Sequence, residues 1–214
     1  MANRGAPFAD GEYYHVYNRG VDKRKVFMHR SDIGRFFRCM QMFNTIVPVG
    51  SLYEAELPGT VEYREQDRLV SIVAYCLNPN HYHFILRQEV ENGISEYMKR
   101  LGGGYTWYFN NKYKRSGALF QGRFKSTHID SDAYLRHLSA YVNLNYEVHQ
   151  LGGSTAKLVK SSWNEYVTDD VGICKKDIVL GQFSDKKQYK NFAGEAINNV
   201  KKDREELEKL ELGG

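Results

Sequence analysis

Cysteine is scarce: Cys39, Cys76 and Cys174 are the only three in 214 residues, and no two stand as a CxxC pair. An odd, scattered set excludes a disulfide scaffold and a zinc finger, and predicts thiols buried as small core residues in a reducing, cytoplasmic setting. No apolar run approaches the roughly 20 residues of a membrane span, and Met1–Gly5 has no apolar signal core, so no membrane partner is expected. Net charge is also small, at +4, so the distribution of charge says more about partners than its sum. What remains is a chain with 42% hydrophobic residues, enough to bury the core of one domain with an appendage.

Hydrophobic periodicity divides it. Tyr13–Asn18 alternates aromatic and β-branched residues as a strand does, closed by Arg19-Gly20. Ser31 is the expected N-cap of a helix to about Asn44, with Ile33, Phe36, Phe37, Met40 and Phe43 on one face. Residues 47–67, with Pro48, Gly50, Pro58 and Gly59, read as loops around a short strand at most. Leu69–Leu77 is a buried strand, Asn78-Pro79-Asn80 a turn, and His81–Leu86 a strand paired antiparallel with the one before. A helix from Gly93 to about Asn111 would contain Gly102-Gly103-Gly104, which predicts a break or a close approach of backbone to a neighbour. Lys125–Ile129 is a short strand. Asp130 or Ser131 then caps a helix to about Tyr146, with Tyr134, Leu138, Tyr141 and Asn145 along one stripe. Gly152-Gly153-Ser154 marks a boundary between residues 1–150 and an extension over 151–214. That extension holds a loop region around Trp163 and Tyr166 and a helical tail rich in Lys and Glu. The tail after Lys186 suits a solvated helix, a dimer contact or a DNA clamp, the first being the simplest. The order of elements predicts an α+β fold with an antiparallel sheet.

Three features carry chemistry. His81 and His83 stand two apart, and strand residues i and i+2 leave the same face, so two imidazoles aim at one place while Tyr82, Phe84 and Leu86 pack opposite. Two converging neutral imidazoles suit a divalent metal; half-exposed histidines on a polar strand face would show the same pattern. Tyr141 and Asn145 are four apart, one turn of a helix, and offer a phenol nucleophile and an amide oxygen ligand. A phenol, with a pKa near ~10, needs a cation or a polarised phosphate to react at neutral pH, and a Tyr on such a stripe is otherwise core. Lastly, no Asp or Glu occurs between Tyr97 and Ile129, where Lys99, Arg100, Lys112, Lys114, Arg115, Arg123 and Lys125 alternate with Tyr105, Trp107, Tyr108, Phe109, Tyr113, Phe120 and Phe124. Cations hold a phosphate backbone and aromatics stack on unpaired bases, which favours single-stranded nucleic acid or a hairpin's open loop. A solvated basic face above core aromatics is the competing account.

These segments resemble the single-tyrosine HUH transposases, most closely the REP-associated tyrosine transposases. The likeness runs from about Tyr13 to Tyr166. It rests on Tyr14-His15-Val16-Tyr17-Asn18-Arg19-Gly20, Asn78-Pro79-Asn80-His81-Tyr82-His83, the Gly117–Ser126 stretch containing Gln121-Gly122-Arg123-Phe124-Lys125, Tyr134–Asn145, and Ser161-Ser162-Trp163-Asn164-Glu165-Tyr166. Two departures stand out: Asn145 is followed by Tyr146 where the family often has Pro, so the helix could run further, and Tyr82 replaces a more aliphatic residue.

The resemblance implies a ferredoxin-like antiparallel sheet with helices packed on it. It also implies cutting and rejoining of single-stranded DNA at hairpin or inverted-repeat sequences, through a 5′-phosphotyrosine link. The nucleophile then falls on Tyr141 and the metal ligands on His81, His83 and Asn145. The metal is Mg²⁺ or Mn²⁺, with imidazoles favouring Mn²⁺ on affinity and cellular abundance favouring Mg²⁺. Lys114, Arg115, Arg123 and Lys125 are candidates for gripping the DNA backbone, and Gln121 for reading a base edge or orienting its loop. His137, one turn before Tyr141, is expected in the core or beside the ligands. Relatives include dimers and monomers, so both a monomer and a homodimer fit. Two competitors use the same residues: a non-catalytic single-stranded nucleic-acid-binding module, and a metal hydrolase that activates water in place of Tyr141.

Overall fold

Nine consecutive residues of high strand propensity, a two-residue turn and eight more make the hairpin that organises the protein: β2 (Val70–Asn78) and β3 (His81–Gln88), paired from Asn78↔His81 outward. The computed structural model describes residues 7–47, 49–55, 67–149 and 157–212. With β1 (Tyr13–Arg19), β4 (Lys125–Ile129) and β5 (Lys160–Ser161), the hairpin forms one sheet in the order β4-β1-β3-β2-β5, every neighbouring pair antiparallel. The helices are α1 (Arg30–Met42), α2 (Leu52–Ala55), α3 (Gly93–Lys112), α4 (Asp132–Asn143), α5 (Asn145–Val148), α6 (Trp163–Val167), α7 (Asp177–Leu180) and α8 (Lys186–Leu212). The first four strands in the order 4-1-3-2, with α1 and α3 as crossovers, are the ferredoxin-like arrangement expected from the sequence.

Strand alternation sends the two faces of β3 into different cores. Tyr82, Phe84 and Leu86 join Phe36 and Met40 of α1 and Tyr97, Leu101 and Tyr105 of α3. Ile85 joins Leu135, Leu138 and Val142 of α4 and Tyr189, Ala193 and Ile197 of α8. A bulge between Ile72 and Ala74 lets the successive residues Val73 and Ala74 both serve this second core. His81 and His83 share the second face, at its open end.

Several elements differ from the sequence reading. The N-cap of α1 is His29, two residues before Ser31, because the buried Asp32 carboxylate accepts from the Met28 and His29 amides at 2.9 Å each. Gly102–Gly104 do not interrupt α3: Leu101, Tyr105 and Phe109, spaced by four, bury one stripe along its length. The close approach does exist, since a Cβ on Gly104 would lie 2.7 Å from the Phe43 ring. Residues expected as loop around Trp163 and Tyr166 form α6. The tail is not simply solvated, because α8 buries Tyr189, Ala193 and Ile197 against α4. The Tyr189 hydroxyl accepts from Asn143 Nδ2 at 2.9 Å, and Ser162 Oγ donates to Asn143 Oδ1 at 2.5 Å. Pro58, Gly59, the short strand allowed near them, and the Gly152–Ser154 boundary lie outside the described residues. Among the described residues no helix is long and apolar enough to cross a membrane.

The β2–β3 turn is clamped from outside: Pro79 O accepts from the Val26 and Phe27 amides at 2.7 and 3.0 Å, and Asn80 O from Gly20 N at 2.8 Å. Gly20 allows this, because a Cβ there would sit 2.3 Å from Arg24 O, which is backbone and cannot yield cheaply. Gly20→Ala is expected to lower the unfolding free energy by about 1–3 kcal/mol, as overpacking does. Urea unfolding at unchanged m-value checks it, and an unchanged midpoint would contradict the clamp.

Candidate metal and nucleophile site

A cavity of about 300 Å³ opens at the end of the sheet, lined by Tyr17, Asn18, Arg19, His81, His83, Gln121, Lys125, Tyr141 and His149. Each lining group has a simple origin. Tyr17 and Arg19 share a face of β1 and lie opposite His83 and His81 in the register. Tyr141 comes from the last turn of α4, with its ring 5.7 Å from that of His83 and nearly perpendicular to it.

Asn145 reaches the site by a different route from the one expected. The helix ends at Asn143, Leu144 has φ −110° and ψ 17°, and Asn145 begins α5. Tyr141 and Asn145 therefore do not share a continuous helix, even though no proline follows Asn145. They still converge, with Asn145 Oδ1 lying 3.0 Å from His81 Nε2 and 2.7 Å from Asn78 Nδ2.

The hydrogen bonds around His81 bear on whether these groups suit a cation. Its Nδ1 lies 2.6 Å from Asn80 Oδ1, an acceptor, so Nδ1 carries the proton and Nε2 carries a lone pair. That lone pair faces the Asn145 oxygen, with Asn78 Nδ2 within 3.0 Å of both. Two acceptors held this close, an imidazole nitrogen and an amide oxygen, form a ligand pair that fits a metal ion. Among the described residues no group of three or more His, Cys, Asp or Glu is arranged to hold a metal, and no carboxylate lines the cavity. An ion here would have neutral ligands only.

Burial keeps the imidazoles uncharged. It pushes His15 down to about 4, and it does the same to His81, opposed by the Asn145 oxygen, which would accept from a protonated ring, and reinforced by His149 and Arg19. His83 is held well below its ordinary range by burial first, then by His15, His81 and His149. Unfolded imidazoles take up protons near 6.5, whereas His15 and His81 in the folded protein do so only near 4. Between those values the unfolded chain binds more protons. Stability is therefore full above pH 6.5 and is lost as pH falls toward 4, by up to about 3 kcal/mol per histidine. Thermal melts of the metal-free protein from pH 7.5 to 4.5 should show the midpoint falling across that range; a flat profile would contradict buried neutral histidines.

Of the residues expected to bind DNA, Gln121 and Lys125 line this cavity. Arg123 instead lines a neighbouring groove of about 680 Å³ between α3 and the loop before β4, which shares Asn18 with the cavity. Lys114 is exposed beyond the end of α3, and Arg115 braces that loop through Asn110 Oδ1 at 2.6 Å and Ala118 O at 3.1 Å. Most interleaved aromatics turn inward: Tyr105, Phe109 and Phe120 are core, whereas Trp107 is 68% exposed. His137 is neither core nor close to the ligands; it is exposed on α4 with its ring 4.9 Å from Phe192 of α8. Residues the sequence reading left without a role are His15, Tyr17, Arg19, Asn78 and His149. The i+4 spacing of His149 from Asn145 was a usable signal for one of them.

Residues 52–145 match the family described as Transposase IS200 like. That segment contains His81, His83 and Tyr141 and ends on Asn145. The match is a likeness of that segment, 94 of the 214 residues, to the family. A solved structure of a REP-associated tyrosine transposase bound to a REP hairpin matches this fold with a TM-score of 0.51. It does so at 14% identity over 78% of this chain and 86% of that one, a likeness of fold. No curated protein matches the chain.

Proposed function

We propose that the protein is a metal-dependent single-stranded DNA endonuclease and strand transferase, with Tyr141 as nucleophile and His81, His83 and Asn145 as metal ligands. The observation that carries the reading is the meeting of the Tyr141 phenol with both imidazoles in one cavity, although they come from a helix and a strand about sixty residues apart. The matched family supports transposase-type DNA cleavage. The solved relative's REP hairpin supports hairpin or inverted-repeat DNA as substrate.

Bound by these residues, a divalent ion would act as a Lewis acid, drawing charge from the scissile phosphate as phosphorus passes through five-coordination. Two imidazole nitrogens and one amide oxygen, without a carboxylate, suit Mn²⁺ better than Mg²⁺. Arg19 lines the cavity, and its Nε is buried with no hydrogen-bond partner among the described residues, a donor that a phosphate oxygen would satisfy. Lys125 and Gln121 hold the strand nearby, while Arg123, Lys114 and Arg115 grip the backbone farther out along α3 and its loop. The Tyr141 oxygen attacks phosphorus, and the bond to the departing 3′-oxygen breaks as the tyrosyl–phosphorus bond forms. The phenolic proton passes through solvent to that 3′-oxygen. One phosphoester replaces another, so an incoming 3′-hydroxyl can reverse the step and join new strands without ATP. All the groups of this chemistry fall within residues 1–150, the catalytic domain in this reading, with 151–214 as an extension whose α8 supports α4.

The test is incubation with an end-labelled single-stranded hairpin and Mn²⁺, followed by a denaturing gel. A protein-linked DNA band is the expected result. Free cleaved ends without a linked species would indicate a water-activating hydrolase, and retarded but uncut DNA a binding module.

A further inference from the structure

His15 lies one strand away from the proposed ligands, on β1, and its Nε2 is 2.9 Å from His83 Nδ1. Both side chains are buried. Tyr17, two residues along the same face of β1, lays its ring nearly parallel to both imidazoles. Centroids are 4.8 Å apart for His15 and Tyr17, 5.6 Å for Tyr17 and His83, and 5.2 Å for His15 and His83, with interplanar angles of 30°, 20° and 16°. These contacts hold the His83 ring in plane and leave it little freedom to turn over.

A neutral imidazole has one protonated nitrogen and one lone pair, and the hydrogen bond made by one nitrogen decides what the other offers. If His15 donated to His83 Nδ1, the proton of His83 would sit on Nε2 and the ring could not bind a cation through that atom. If His83 Nδ1 donates to His15, its Nε2 presents a lone pair. His81 already shows this pattern, with Nδ1 donating to Asn80 Oδ1. We infer that His15 is a positioning residue that accepts the Nδ1–H of His83 and so fixes the tautomer in which His83 Nε2 can bind the metal. The inference rests on the metal reading above and adds a residue to it.

The test uses the full chain and two readouts. In metal-free protein, ¹⁵N-resolved imidazole spectra report which His83 nitrogen is protonated; Nδ1–H is expected in the wild type. His15→Leu should shift His83 toward Nε2–H and weaken Mn²⁺ binding, measured by calorimetry, about 10–100-fold, the usual cost of losing such a partner. His15→Gln, which keeps an acceptor oxygen, should restore most of the affinity. Should His15→Leu unfold the protein, the wild-type spectrum and the Gln variant still decide. Nε2–H in the wild type, or a folded Leu variant binding Mn²⁺ as tightly as the wild type, would overturn the role of His15 while leaving the metal site standing. A wild type that binds no Mn²⁺ would overturn the metal reading and this inference with it.

Discussion

Tyr141→Phe is expected to abolish the covalent protein–DNA species, with strand cleavage falling by at least about 10³-fold, the scale on which loss of a nucleophile registers. Phenylalanine keeps the ring and its perpendicular contact with His83, so the cavity wall persists and only one oxygen is removed. Hairpin affinity should stay within about twofold, because the substitution removes no cationic group. A denaturing gel with labelled DNA, alongside a binding titration, separates the two effects. Adducts formed at wild-type yield by the variant would move the nucleophile to another residue.

His81→Ala should cost about 10²–10³-fold in Mn²⁺-dependent cleavage, comparable to losing one transition-state electrostatic contact. The substitution removes the lone pair facing Asn145 Oδ1 and leaves Asn78 Nδ2 bound to that oxygen alone. A weakened site should recover in part at high Mn²⁺ concentration, which distinguishes a lost ligand from a misfolded chain. Cleavage equal to that of the wild type at every Mn²⁺ concentration would refute the ligand role.

The strands that hold the two histidines were readable because a buried apolar run over Leu69–Leu77, an Asn-Pro-Asn turn and the alternation of His81–Phe84 agree. His15 was not, since its partner is decided by the pairing of β1 with β3 across nearly seventy residues, and a single sequence carries no mark of that register. The end of α4 was misplaced for a tertiary reason. Asn143 is taken up by Ser162 and Tyr189, and these tertiary bonds end the helix where neither proline nor glycine does. The acid-free aromatic stretch looked like a stacking surface, yet Leu101, Tyr105 and Phe109 follow a helical period of four, and that periodicity was the better guide to their burial.

The same two bonds to Asn143 bear on how the protein comes into being. A ribosome would have released both imidazoles and the phenol well before Ser162 and Tyr189 emerge. Until those late residues arrive, the helix bearing the phenol lacks its outer seat and the amide at its end lacks both partners. On the reading proposed above, a nascent chain thus holds the proposed reactive groups before the residues that seat their helix have been made.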